Sequence, residues 1–193
     1  MQGEASHSTE SIEELGVLFS KYGLQISVGQ VKSLVKTVAD YDPYIYDTKK
    51  RSRVMRNRNF RHISLIFRKD NGILLFIGMN EAARYTEDHL RVRRHSEEIA
   101  LKKLNRNTCQ TGKFKNLVRN SNTKRGGVVL VNLSLTKAGL LRQSRPCARC
   151  CFAMSHTQIP IKNIIWFDSS LKSFRSARNI VDPTLSSLDR YQA

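Results

Sequence analysis

Acidic residues are scarce in this chain, and over one long stretch they are missing altogether. Between Glu98 and Asp168 there is no Asp or Glu, while 13 Lys and Arg fall in the same interval. Over all 193 residues, 33 basic side chains face 16 acidic ones, a net charge of +17. Enzymes of small-molecule metabolism seldom need such an excess, and a field of that sign attracts polyanions. Solubility, or packaging beside nucleic acid without catalytic meaning, is the alternative reading. Long apolar runs are missing too. No stretch approaches the ~18 apolar residues of a membrane span. The opening Met-Gln-Gly-Glu-Ala-Ser-His has no basic segment followed by an apolar one. The expectation is a cytoplasmic or nuclear protein with no membrane partner. Cysteine is also sparse. Four in the whole chain argue against a disulfide framework and for a reducing compartment.

Enough apolar residues remain, 40% of the total, for one domain of ordinary size with a real core. Two short motifs stand out within it. His95-Ser96-Glu97 is followed, with 48 residues between, by Pro146-Cys147-Ala148-Arg149-Cys150. Zinc favours mixed imidazole and thiolate ligands, and a catalytic zinc site stops at three so that water holds the fourth position. His95, Cys147 and Cys150 make three. Glu97 is left over, two residues from the imidazole, as a proton shuttle. This is the H-x-E…P-C-x-x-C arrangement of zinc nucleobase deaminases.

The surroundings suit that geometry. Pro146 fits the first position of a helix, which places Cys147 and Cys150 on one face of the first turn. The positive end of that helix favours thiolate. His95 to Leu104 reads as a second helix, acidic at its start and basic at its end. Two helix starts then converge on one metal. A structural zinc site, with Cys109, Cys151 or His156 as fourth ligand, competes with this reading but has no need of Glu97. Glu98 reads as a helix-face acid, Cys151 as a small apolar residue, and His89 as a surface residue.

With both motifs intact, residues 60–168 resemble the cytidine and deoxycytidylate deaminase superfamily. That resemblance implies a hydrolase with Zn2+ as cofactor, converting a cytosine-type base to uracil. Zinc lowers the pKa of water toward ~7, and Glu97 returns the water's proton to the ring nitrogen and the departing ammonia. It also implies a β-hairpin directly before the His-x-Glu helix, and a sugar contact from Asn80, which follows the second strand. A plain turn residue is the other reading of Asn80.

The expected fold is α/β, a cytidine-deaminase-like three-layer arrangement. A mixed sheet of about five strands carries the two site helices on one face. Residues 1–48 form an N-terminal helical extension and 49–193 the deaminase domain. Ser11 with Glu14 reads as a capping box opening a helix that Gly23 ends. A second helix begins near Ser27 or Gly29. Strands are expected at 60–67, 73–78, 127–133 and 161–168, with a turn at Lys69-Asp70-Asn71-Gly72. Residues 105–127 read as a basic, mobile insertion beside the site. Beyond Asp168, a turn at Ser169-Ser170 makes 172–177 an antiparallel fifth strand; a helix over 170–180 is the alternative. In the resembling enzymes an antiparallel fifth strand accompanies free nucleoside substrates and a parallel one polymeric substrates.

Residues 40–47 look like a loop. After them Lys49, Lys50, Arg51, Arg53, Arg56, Arg58 and Arg61 form the densest charge run. A nuclear-import signal, a solvated loop, and a nucleic-acid-binding arm with Tyr44, Tyr46 and Phe60 as stacking platforms all fit it. The expected partner is therefore a nucleotide or single-stranded nucleic acid, and homo-oligomerisation is left open. Two other functions stay in view. One is adenine deamination on RNA; the other is nucleic-acid binding around a structural zinc, without catalysis.

Overall fold

The computed structural model describes residues 13–27, 29–30, 33–34, 44–47, 52–55, 62–85, 91–111, 126–135 and 140–178. The strands at 44–47, 52–55, 81–85 and 91–94 and the helix end at 108–111 are described by backbone alone. In chain order the elements are α1 (13–21), β1 (Tyr44–Asp47), β2 (Ser52–Met55), β3 (His62–Arg68), β4 (Leu74–Met79), β5 (Glu81–Tyr85) and β6 (Arg91–Arg94). Then come α2 (Ser96–Thr111), β7 (Val128–Ser134), α3 (Ala148–Ser155), β8 (Ile161–Asp168) and β9 (Ser173–Ala177). Five strands form the central sheet in the order β4-β3-β7-β8-β9. Only β7 and β8 run parallel; every other neighbour is antiparallel. The architecture is the expected α/β one.

Two apolar layers sandwich this sheet. Ile63, Leu65 and Phe67 of β3, Val129, Val131 and Leu133 of β7, and Ile165 of β8 point to one side. There α1 buries Leu15, Leu18 and Phe19 against them, an i, i+3, i+4 stripe. α1 is thus part of the core, covering one face of the sheet. Gly23, in left-handed backbone (φ 62), ends α1 as expected. The bonds Leu24 N–H to Phe19 O (2.8 Å) and Gly23 N–H to Ser20 O (3.0 Å) are a Schellman motif. Ser11 lies outside the described residues. A reciprocal pair at Ser27 and Gln30 (2.9 and 3.1 Å) caps the helical residues that follow.

On the other side, Ile66, Leu130, Ile164 and Trp166 meet Ala100, Leu101 and Leu104 of α2 and Cys150 and Met154 of α3. With both faces covered, β7 is buried along its whole length, as its unbroken apolar run requires. Gly78 sets how closely α2 approaches. A Cβ there would lie 2.1 Å from Ser96 O and 2.7 Å from Ala100 N, and backbone atoms cannot swing aside. Gly78→Ala is therefore expected to push the start of α2 off the sheet, costing ~1–3 kcal/mol as overpacking does. A urea midpoint unchanged from wild type would mean the contact is softer than drawn.

Several expectations change. Residues 40–47 are not all loop. β1 and β2 form an antiparallel hairpin in which Tyr46 and Arg53 are register partners, because Tyr44-Ile45-Tyr46 alternates with the two-residue period of a strand. β5 and β6 form a second hairpin where the sequence shows only a lead into His95. α2 continues to Thr111, since no Gly or Pro interrupts it before Gly112. That shortens the expected insertion; residues 112–125 lie outside the described set. The fifth strand is the antiparallel hairpin, Asp168 pairing with Ser173. Its turn is fixed by Asp168 Oδ1, which accepts from Ser170 N–H (3.0 Å) and Ser170 Oγ (2.6 Å).

Candidate metal centre

Two helix starts carry the ligands. His95 precedes α2 and is its cap: His95 O accepts from Ile99 N–H (3.1 Å). Cys147 is the cap of α3, in extended backbone (φ −78, ψ 171), and its carbonyl accepts from Cys151 N–H (2.9 Å). Pro146 consequently sits before the cap, not at the first helical position. The Cys147 side chain makes no capping bond; its sulfur turns to His95, at 3.4 Å from Nδ1. Cys150, three residues into the same turn, brings its sulfur to 3.1 Å from that nitrogen. All three ligand atoms lie within 4.8 Å of one another.

The donor set fits zinc. Tetrahedral bonds of ~2.3 Å to sulfur and ~2.0–2.1 Å to nitrogen put N and S roughly 3.5 Å apart, near the separations found. Among the described residues no fourth side chain joins the cluster. Cys151 turns its thiol to Pro146 O (3.9 Å), and burial pushes that thiol up to about 11. His156 stacks on Phe152, ring centroids 4.1 Å apart. The side chain of Cys109 lies outside the described residues.

Electrostatics separate the two cysteines. A hydrogen bond from the Cys150 thiol, opposed by burial and helped by His95, draws Cys147 down to about 4. The same bond, then burial, pushes Cys150 up. His95 is raised, chiefly by its hydrogen bond to Cys147. Cys147 thus favours the thiolate form, while Cys150 and His95 keep their protons more tightly than usual, against which a cation would compete.

Glu98, which the sequence offers as a plain helix-face acid, ties the two helices together. Its Oε2 accepts from His95 N–H (3.0 Å), and its carboxylate accepts from Arg149 Nε (2.6 Å) and Nη2 (3.2 Å) in α3. The side chain thus caps α2 and grips the Cys-x-x-Cys turn.

Glu97 points inward, 6% exposed. Its Oε1 accepts from Asn132 Nδ2 (3.0 Å) and its Oε2 pairs with Ser96 Oγ (3.1 Å). Ser96 Oγ also pairs with Ser64 Oγ, and Ser64 Oγ with Asn132 Oδ1, both at 2.8 Å. Four contacts close a ring. The two hydroxyls and one amide hydrogen supply only three hydrogens, whichever way the amide is turned. A protonated Glu97 would supply the fourth; ionised, it leaves one contact without a hydrogen. Burial acts in the same direction, raising this carboxyl above its ordinary range.

Asn80 stands at the open end of β3 and β4. His62 N–H donates to Asn80 Oδ1 (3.2 Å) and Asn80 N–H to His62 O (3.3 Å), a strand-end role. His62 itself was not singled out by the sequence. Burial, then the charge of nearby His95, lowers it to about 4, so it is a neutral imidazole beside the centre. Ser64 and Asn132 also went unnoticed, although each is the polar residue inside an apolar run, and that interruption is the signal. Arg53 belongs to the backbone of β2. Lys49, Lys50, Arg51, Arg56, Arg58, Arg61, Phe60 and His89 lie outside the described residues.

No protein-family model, no curated protein and no solved structure matches this chain. Among the described residues no helix is long and apolar enough to cross a membrane.

Proposed function

We propose that this protein is a zinc-dependent hydrolase that deaminates a cytosine-type base to uracil. One observation carries the reading: three ligands of a catalytic donor set meet beside a buried carboxylate, Glu97, that is not among them. A structural site has no use for that carboxylate. Zinc, when bound, supplies water of lowered pKa, near ~7. Glu97 takes the water's proton as its oxygen adds to C4 of the base, and delivers it to ring N3. A second transfer through Glu97 carries the proton of the new C4 hydroxyl to the amino nitrogen; the C4–N bond breaks, ammonia leaves and C4 becomes a carbonyl. Base plus water becomes uracil-type base plus ammonia, with no oxidant or reductant needed. Glu97 suits this exchange because burial holds its pKa up, nearer the operating pH.

The antiparallel β9 favours a free nucleoside, since the enzymes this chain resembles pair that orientation with free nucleoside substrates. A second reading, cytosine within single-stranded nucleic acid, is favoured by the net charge of +17. Both are tested together. Zinc-loaded protein is incubated with cytidine, deoxycytidylate, adenosine, single-stranded DNA and RNA, and ammonia and product mass are followed. A cytosine substrate is expected to react; inertness toward all of them with zinc bound would defeat the proposal. Nucleic-acid binding is measured against salt in parallel. Each phosphate neutralised adds ~0.7 to the log–log slope for single strands, so a flat curve rejects the polymer reading.

A further inference from the structure

We infer that Ser64 and Asn132 are positioning residues that hold the Glu97 carboxyl group in one orientation at the metal centre. The inference rests on reading Glu97 as the proton carrier and adds to it what fixes that group in place. Ser64 on β3 and Asn132 on β7 are register partners across the middle of the sheet. Their side chains leave the face on which Ile66 and Leu130 pack against α2, at the level of its first turn. Both are buried, 0% and 2% exposed. Placing a hydroxyl and an amide in such a layer costs free energy unless every polar atom finds a partner, and two apolar residues would fill the space more cheaply. The partner they find is Glu97. Asn132 Nδ2 holds Oε1 at 3.0 Å, and Ser64 holds Ser96 Oγ at 2.8 Å, which in turn holds Oε2 at 3.1 Å. The bond between Ser64 and Asn132 themselves, 2.8 Å, locks the pair.

A carboxyl group with both oxygens engaged has one orientation. Its anchors stand on central strands and not on loops, so its placement is as rigid as the sheet. The ligands take no part in this ring. His95 and the cysteines are set by the helix starts and by Glu98. The structure therefore separates two tasks: helix caps place the metal, and a cross-strand polar pair places the proton carrier.

The test uses Ser64→Ala, Ser64→Thr and Asn132→Leu in the full chain, each loaded with zinc. A group that positions the proton carrier acts on the transition state, so kcat is expected to fall about 10- to 100-fold, as for outer-shell partners elsewhere. KM and zinc content should stay at wild-type values. Ser64→Thr keeps the hydroxyl and should restore most of the rate, which a loss of packing alone would not explain. Crystal structures of Ser64→Ala and Asn132→Leu should show Glu97 in a new or divided rotamer with the ligands unmoved. Glu97 unmoved in both, or kcat within twofold of wild type, would overturn the inference. If Asn132→Leu does not fold, the Ser64 pair still decides. If wild-type protein deaminates nothing, the catalytic reading fails by itself, and the rotamer of Glu97 alone judges what Ser64 and Asn132 do.

Discussion

Glu97→Gln is expected to lower turnover by about 10²–10⁴-fold while leaving the metal bound and the fold intact. An amide has the size of the carboxyl group but cannot carry a proton between water and base. The hydrogen-bond ring makes the second half of this expectation specific. Glutamine brings the hydrogen that ionised Glu97 lacks: its amide donates to Ser96, Ser96 to Ser64, Ser64 to Asn132, and Asn132 back to its carbonyl. All four contacts are then satisfied. The pH dependence follows from the direction of the shift. Burial raises the Glu97 pKa in the folded chain, so its stabilising contribution is complete below the unfolded value of ~4.3 and is lost as pH rises through the folded value. Glutamine has no such loss. Denaturation midpoints of the chelated proteins should favour the variant increasingly as pH rises from acid to neutral; chelation matters because a bound cation favours the ionised form. Turnover within a few-fold of wild type would remove Glu97 from the mechanism, and equal midpoints at every pH would mean the ring adjusts to the charge.

Why the centre could be read from sequence while its support could not comes down to range. Cys147 and Cys150 share one turn of one helix, and His95 and Glu97 sit two residues apart, so spacing alone nearly fixes their geometry. Gly23 and the Asp70-Asn71-Gly72 turn are equally local signals. Ser64 and Asn132 meet across 68 residues of sequence, and Glu98 meets Arg149 across 51. Such pairs exist only once strand register and helix placement are set. Their trace in sequence is negative, a polar residue where the pattern calls for an apolar one. The fifth strand was ambiguous for a related reason. Ser169 to Lys172 suits a turn or a helix start, and the choice falls to Asp168, which captures Ser170, with Lys172 accepting left-handed backbone (φ 46). The ring of Pro146 fits both the cap's neighbour and the first helical position, and the extended backbone of Cys147 (φ −78, ψ 171) makes it the former.

Cys150→Ala should remove zinc from the protein altogether. The cluster has three ligand atoms among the described residues, and taking one leaves an imidazole and a single thiolate. Two ligands do not hold zinc against dialysis with a mild chelator, so metal content should fall from one per chain to near none. Binding to the folded state stabilises it by RT ln(1 + [L]/Kd), ~4 kcal/mol at a thousandfold excess over Kd. The zinc-dependent rise in thermal midpoint should therefore vanish with the metal. The protons give an independent check. Cys150 and His95 both have raised pKa values, so protons compete with zinc at both, and wild-type affinity rises with pH. Cys147, at about 4, is thiolate at neutral pH and adds no slope there. Whatever weak affinity the variant keeps should follow pH through His95 and also through Cys147, which loses the hydrogen bond from Cys150 that chiefly holds it down. Full zinc retention by Cys150→Ala would dissolve the centre as drawn here. A wild-type zinc affinity that does not change with pH would place the ligands elsewhere in the chain, and Glu97 would then have no metal site to serve.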